Sequence, residues 1–345
     1  MNVVLMLAAL SLYGCARNLE VTAFVKDEVT GEPIANAQID AYFHNDNGWE
    51  AWSRSAPEGR ATAQTDAKGM CKLTGSSNKG VVGLAMWEAP NGYYRHPGVS
   101  LAFRNTKSLR REWIFTETSV TLSLQRVEHP IPLCVHNVQL SDWKNGIAGF
   151  DGTNIVLKFD FIVGDWLPPH GNGRYADMVI RTNYRLNETI NDRVWEGLTM
   201  YEFASDIEFP NEGNGLVEKS FVDISCGLKF RMAPDSGYIQ SKTLRFGRRR
   251  KNTNLKMICP DVYTECNKNR CYCFRIRSRF DEKGNLVEAY YGKVYGDFQL
   301  DGWDKVGFRG VNFLYYLNPT PLDRNLEWDM KTNLCPNPGM VGRQP

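Results

Sequence analysis

The chain has 345 residues, with 41 Lys and Arg against 39 Asp and Glu, for a net charge of +2. Its 42% hydrophobic and 23% charged content is that of a globular protein with a real core, which excludes a disordered chain and a general polyanion binder. Aromatic residues reach 12%, with nine Trp and fifteen Tyr, a composition that suits half-buried pleated surfaces.

The first element is an apolar run, Val3 to Leu10, followed by Leu12-Tyr13-Gly14-Cys15. A spanning helix needs about 20 apolar residues, so this run is too short to cross a bilayer and reads as an export signal over residues 1–14. The segment Leu12-Tyr13-Gly14-Cys15 resembles the lipobox of bacterial lipoproteins, in which a cysteine after a small residue is acylated and becomes the new N-terminus. The resemblance implies a lipid on Cys15, an anchored N-terminus over 15–18 and a place in the bacterial cell envelope. Ala16 at the position after the cysteine implies the outer membrane. A plain secretory signal or a short buried helix is the alternative for the same run.

Residues 19–126 read as short strands separated by turn signals. Leu19, Val21, Ala23 and Val25 alternate with polar or exposed positions, as do Ala37, Ile39, Ala41 and Phe43, and then Val120, Leu122 and Leu124. Between them lie Thr30-Gly31-Glu32-Pro33, Asp66-Ala67-Lys68-Gly69 and Pro90-Asn91-Gly92. The series Asp27, Thr30-Gly31, Pro33-Ile34, Asn36-Ala37, Ile39, then Thr65-Asp66, Gly69, Gly92-Tyr93-Tyr94 and Val120, Leu122, Leu124 resembles the carboxypeptidase-regulatory-like (transthyretin-like) domain. That resemblance implies a seven-stranded β-sandwich and no peptidase activity. The insertion from Asn45 to Gly59, with Trp49 and Trp52, predicts one long aromatic-tipped loop.

Residues 127–132 form a bridge in which Pro130 and Pro132 restrict the chain to extended conformations, a short stiff linker. From 133 to 334 the pattern is again strand-like. Ile155 to Val163 alternates, and further strands are expected near 175–185, 195–203, 216–231, 271–280, 286–300 and 306–317. The fold expected is all-β, two antiparallel sandwiches, the second larger and of a jelly-roll kind. Residues 335–345, rich in Pro and Gly, read as a tail.

With Cys15 assigned to lipid, eight cysteines remain, an even number that suits disulfide pairing in an oxidising compartment. Cys259, Cys266, Cys271 and Cys273 are the candidate disulfide cluster. Cys271 and Cys273 fall on the polar face of a predicted strand, where the loop 260–270 would cover them. Four thiolates could instead hold a structural zinc, although the spacing lacks paired C-x2-C knuckles. Lys242 to Lys256 holds seven cations and no acid. It reads as an exposed hairpin tip or loop, with Arg248, Arg249, Arg250 and Lys251 as a candidate contact for an anionic surface.

No catalytic constellation is visible. His44, His96, His129, His136 and His170 lie outside any H-E-x-x-H, and no nucleophile elbow, P-loop or dinucleotide fingerprint occurs. No metal site and no cofactor are expected. Nucleic acid is not an expected partner, because the basic run lacks interleaved stacking aromatics. The function expected is therefore non-catalytic: an envelope lipoprotein that touches the membrane through its anchor and binds a glycan or an envelope protein through sandwich loops. The alternative is an exported glycan hydrolase, for which Asp165 beside Trp166, and Asp323, Glu327 and Asp329 around Trp328, are the candidate acids.

Overall fold

The computed structural model describes residues 17–43, 59–77, 81–94, 96, 98–102, 119–142, 144, 147, 154–190, 198–220, 231–251, 259–265, 267, 270–303 and 307–336. Cys15, Trp49, Trp52 and Cys266 lie outside the described residues. Those described form nineteen strands and no helix, so the protein is all-β and sandwich-like, as its period-2 patterning predicts. No described helix is long and apolar enough to cross a membrane. The chain divides into two compact units between Val127 and Glu128, inside the proline-bearing bridge.

The first unit holds β1 (Arg17–Asp27), β2 (Gln38–Phe43), β3 (Arg60–Gln64), β4 (Met70–Ser77), β5 (Val81–Ala85), β6 (Val99–Ala102) and β7 (Ser119–Leu124). These seven strands form a three-stranded sheet, β4-β1-β7, and a four-stranded sheet, β3-β2-β5-β6. All pairings are antiparallel except β1 with β7. One face of β1 buries Leu19, Val21, Ala23 and Val25 against Ile39, Ala41 and Phe43 of β2 and Val82 and Leu84 of β5. Strict alternation is what one buried face per strand requires.

The turn residues of this unit have definite mechanical tasks. The Asp27 carboxylate accepts the N–H groups of Val29 (2.8 Å) and Thr30 (3.0 Å), the Tyr93 hydroxyl (3.0 Å) and Arg126 Nε (3.2 Å). The Thr30 N–H leads in holding its pKa down to about 2, against burial. Asp66 caps the next hairpin by accepting from Lys68 (2.8 Å) and Met70 (2.9 Å). Gly69 closes that hairpin at φ +69°, where a Cβ would lie 2.4 Å from the Val25 carbonyl oxygen, so only glycine fits.

The second unit holds β8 (Ile131–Ser141), β9 (Ile155–Asp160), β10 (Asp165–Trp166), β11 (Met178–Ile190), β12 (Leu198–Glu208), β13 (Gly215–Ser220), β14 (Ser241–Lys251), β15 (Cys259–Thr264), β16 (Arg270–Phe280), β17 (Leu286–Trp303), β18 (Gly307–Asn318) and β19 (Trp328–Asn333). Two six-stranded sheets result, β10-β9-β11-β12-β14-β15 and β13-β16-β17-β18-β8-β19. Hairpin neighbours pair within each sheet, as in β11–β12, β14–β15 and β16–β17–β18, while β8 and β13 join the second sheet after crossings between the sheets. Short turns such as Asp281 to Asn285 favour this order, because they return the chain beside itself. The sheets meet over an aromatic core. Phe161 stacks on Phe274 at 4.3 Å between ring centres, and Phe203 and Phe246 both reach Phe308 at about 6 Å.

Three expectations are corrected here. The basic run is not a hairpin tip: Lys242 to Lys251 lies in β14, paired with β12 on one side and β15 on the other. Its buried alternate residues, Leu244 and Phe246, specify a strand that the flanking charges obscure in the sequence. The stiff bridge is shorter than expected, since Ile131 and Pro132 already belong to β8. Cys335 is not part of a loose tail but joins the core of the second unit.

Candidate functional site

Outward-facing residues of the second unit's β13–β19 sheet fall into two regions. Toward one end, Leu133, Val135, Leu314 and Tyr316 form an apolar cluster, with Trp328 packed against it. Beside it, Cys271, Cys273, Ala289 and Tyr291 are buried with Ala233 and Leu326. Return segments around 233 and 326 therefore cover this end, whose residues are mostly apolar, with Lys293 buried between Cys273 and Tyr316.

Toward the other end the face carries polar side chains. Gln139 of β8 is the register partner of Asn312 of β18, which is the partner of Gln299 of β17. Three amides thus stand in a row across three strands. The next row is Ser141, Gly310 and Asp301. Together these residues line a groove of about 300 Å³. Gly310 has no side chain to fill it, and a Cβ there would lie 2.4 Å from the Leu140 carbonyl oxygen. An amide both donates and accepts hydrogen bonds and carries no net charge, so the row can pair with hydroxyls or with peptide groups.

A second opening of about 370 Å³ adjoins the edge of β8, lined by His136, Val138, Gln139, Phe159, Gly164, Asp165, Trp166 and Asn172. Gln139 lines both openings. The loop that shapes this opening is organised by a buried charge hub. Asp160 accepts backbone N–H groups from Ile162, Val163, Arg174 and Tyr175, at 3.0–3.1 Å. Asp177 accepts from Phe161 N at 3.0 Å. Arg277 of the facing sheet joins them, with Nη2 at 2.8 Å from Asp160 and Nε at 2.9 Å from Asp177. Arg277 sits at φ +52°, at a bulge between β16 and β17, which departs from regular strand geometry where the clamp forms. Burial pushes Asp177 up to about 6 despite Arg277.

The residues expected to form sites are distributed as follows. Cys271 and Cys273 are buried and pack with Ala233 and Leu326 of the segments that cover this end. Residues 259–264 form β15 in the opposite sheet, so the backbone of Cys259 is placed there, and its side chain lies outside the described residues. Arg248 and Arg249 project from β14, and Arg249 stacks over Tyr263 at 4.7 Å. Nearby, Arg245 pairs with Glu202 at 3.6 Å. The side chains of Arg250 and Lys251 lie outside the described residues.

The candidate acids serve turns. Glu327 accepts the N–H groups of Glu128 (2.8 Å) and His129 (2.6 Å), Asp323 accepts from Asn325 and Asp329 from Lys331 and Thr332. Arg324 pairs with Asp235 and not with Asp323. Asp165 does line the edge opening. Asp160 and Asp177 are brought together, but both side chains are closed from solvent.

Sequence reasoning does not find the amide row or the Asp160–Asp177–Arg277 hub. The available signal for the row is the polar alternation Asn137, Gln139, Ser141 at the end of β8. Among the described residues, no group of three His, Cys, Asp or Glu is arranged to hold a metal ion.

No family model matches this chain, and no curated protein matches it. Solved structures show a weak likeness. The C-terminal domain of the shaft pilin SpaA from Lactobacillus rhamnosus GG is 14% identical, with 32% of this chain and 98% of that domain covered and a TM-score of 0.20. BcpA, the major pilin subunit of Bacillus cereus, is 11% identical over 86% of this chain and 95% of its own, at a TM-score of 0.22. A DUF3823 family protein from Parabacteroides merdae is 7% identical over 86% and 96%, at 0.21.

Proposed function

We propose that this chain is a non-catalytic lipoprotein of the bacterial cell envelope, tethered through Cys15, whose second sandwich binds a neutral, hydroxyl-rich glycan. The observation that carries the binding reading is the row Gln139, Asn312 and Gln299 beside a groove of about 300 Å³. Amides fixed on strands present donors and acceptors at the spacing of neighbouring strands, about 4.8 Å, which suits equatorial hydroxyls on alternate carbons of a sugar ring. The first unit acts as a spacer, in line with its resemblance to carboxypeptidase-regulatory-like domains. The tether reading rests on Leu12-Tyr13-Gly14-Cys15.

Two experiments test the reading. The full-length protein is applied to a glycan array, and hits are titrated calorimetrically with wild type and with Gln139→Ala/Gln299→Ala/Asn312→Ala. Neutral saccharide binding that is insensitive to salt and lost in the triple variant, at an unchanged melting temperature, supports the site. Binding that survives the triple variant places the ligand elsewhere. For the tether, labelled palmitate enters wild type, and Cys15→Ser releases the protein from membranes; equal membrane retention of both forms overturns it.

A further inference from the structure

The second unit's core contains two cysteines that the sequence does not link. Cys134 lies on β8, and Cys335 follows β19, nearly the whole unit later in the chain. Cys134 is 3% exposed and Cys335 7%. The Cys134 sulfur lies 3.9 Å from the Tyr315 hydroxyl. Cys335 reaches that same hydroxyl and also the Cys134 thiol itself. On its other side the Cys335 sulfur lies 3.4 Å from His136 Nδ1. The four side chains form one buried cluster on which two sulfurs converge.

The backbone on both sides is fixed. Leu133 and Asn333 are register partners in a parallel pair, and the Leu334 N–H donates to the Leu133 carbonyl at 2.9 Å. The Asn333 side chain accepts from Val135 N (2.9 Å) and Cys335 N (2.9 Å) and donates to Val135 O (2.7 Å). Each cysteine is thus within two residues of a backbone bond that ties the two segments together. A disulfide requires Cα atoms within roughly 7 Å and side chains aimed at each other. The Leu133–Asn333 register and the contact between the two sulfurs bring the two side chains together.

We propose that Cys134 and Cys335 form a disulfide that staples the C-terminal segment to β8 and closes this edge of the second sandwich. The step is an ordinary exchange with an external disulfide such as glutathione disulfide. His136 Nδ1, in the tautomer that leaves it unprotonated, accepts the Cys335 proton. The thiolate attacks the oxidant, releases one glutathione thiol and forms a mixed disulfide. The Cys134 thiol then attacks the Cys335 sulfur of the mixed disulfide and displaces the second glutathione, its proton leaving with the departing glutathione thiolate. Two thiols are oxidised to one disulfide, and one glutathione disulfide is reduced to two thiols. The reaction uses added oxidant, so its outcome does not depend on the export or glycan readings.

The test uses the purified full-length protein, first reduced, then equilibrated with glutathione disulfide, unfolded in acid and alkylated without reductant. Peptide mass mapping of wild type is expected to find the Cys134 and Cys335 peptides joined. Reduction is expected to lower the melting temperature of wild type and to leave Cys134→Ser and Cys335→Ser unmoved. Alkylation of both cysteines in the oxidised sample overturns the proposal, as does finding either one joined to Cys71, Cys271 or Cys273. The mapping is done on wild type, so it holds even where a substitution folds poorly.

Discussion

Arg277 of β16 reaches across to Asp177, the residue before β11 of the facing sheet, and binds its carboxylate with two nitrogens, Nε at 2.9 Å and Nη2 at 3.1 Å. The same Nη2 reaches Asp160. One guanidinium therefore ties the two sheets and fixes the loop 161–177 that shapes the opening beside β8. The charges are buried, so the pairing is worth less as a net stabiliser than as a determinant of loop geometry.

Arg277→Met leaves two carboxylates buried without their cation. Breaking one partner of such a pair costs about 3–5 kcal/mol. Urea unfolding is expected to show a loss of that order, and amide exchange is expected to speed up over residues 161–177. Unchanged exchange there would mean that the loop holds itself.

Asp177 gives the stability curve a defined pH slope. Its folded pKa, about 6, lies above the unfolded value near 3.8. Between those values the folded state holds the proton and the unfolded state does not, so stability falls as pH rises from about 4 to 6, by at most roughly 3 kcal/mol. Asp177→Asn is expected to be less stable overall, through weaker pairing with Arg277, yet to lose this component of the slope. Chemical unfolding of both forms across that window measures the difference.

Lys293 is buried under the Tyr316 ring, its ammonium 5.2 Å from the ring centre. Burial brings its pKa down to about 8. Between about 8 and 10.5 the folded state has lost the proton that the unfolded state keeps, so this group adds stability as pH rises through that window. Lys293→Met removes a buried charge and keeps much of the volume. It is expected to be neutral or stabilising by about 1–3 kcal/mol at pH 7 and to lose the alkaline gain. An alkaline gain that persists in the variant would assign the slope to another group.

The basic run lies in β14 and has strand partners on both sides, so its removal is a structural change. Arg248→Ser/Arg249→Ser/Arg250→Ser/Lys251→Ser is expected to lower the melting temperature, through the loss of the half-buried Arg248 stem and the Arg249–Tyr263 stack. An exposed loop would tolerate the same change with hardly any shift. Thermal unfolding followed by near-ultraviolet circular dichroism distinguishes the two.

Much of the fold is legible in the chain itself. Alternation predicts strands at 271–280, 286–300 and 306–317, and the structure has them at 270–280, 286–303 and 307–318. Seven strands in the first unit are what its resemblance to carboxypeptidase-regulatory-like domains implies, and its turns are legible directly, because Asp27, Gly31, Asp66 and Gly69 act within a few residues of themselves. β14 is not, since charges at both ends of a strand break the alternation that marks a buried face, and the basic run then has the pattern of a loop.

The sequence by itself determined the strand class, the two-unit division near the Pro130–Pro132 bridge and the turn chemistry, because these depend on side-chain period and on backbone preferences acting over short distances. Tertiary structure alone decided which distant residues meet. Gln139, Asn312 and Gln299 form a row only through strand register. Asp160, Asp177 and Arg277 meet only when two sheets stack, and Cys134 and Cys335 only when the last strand pairs with the first strand of its unit. Register and sheet order are set by the summed burial of whole faces, and no short stretch of sequence contains that sum.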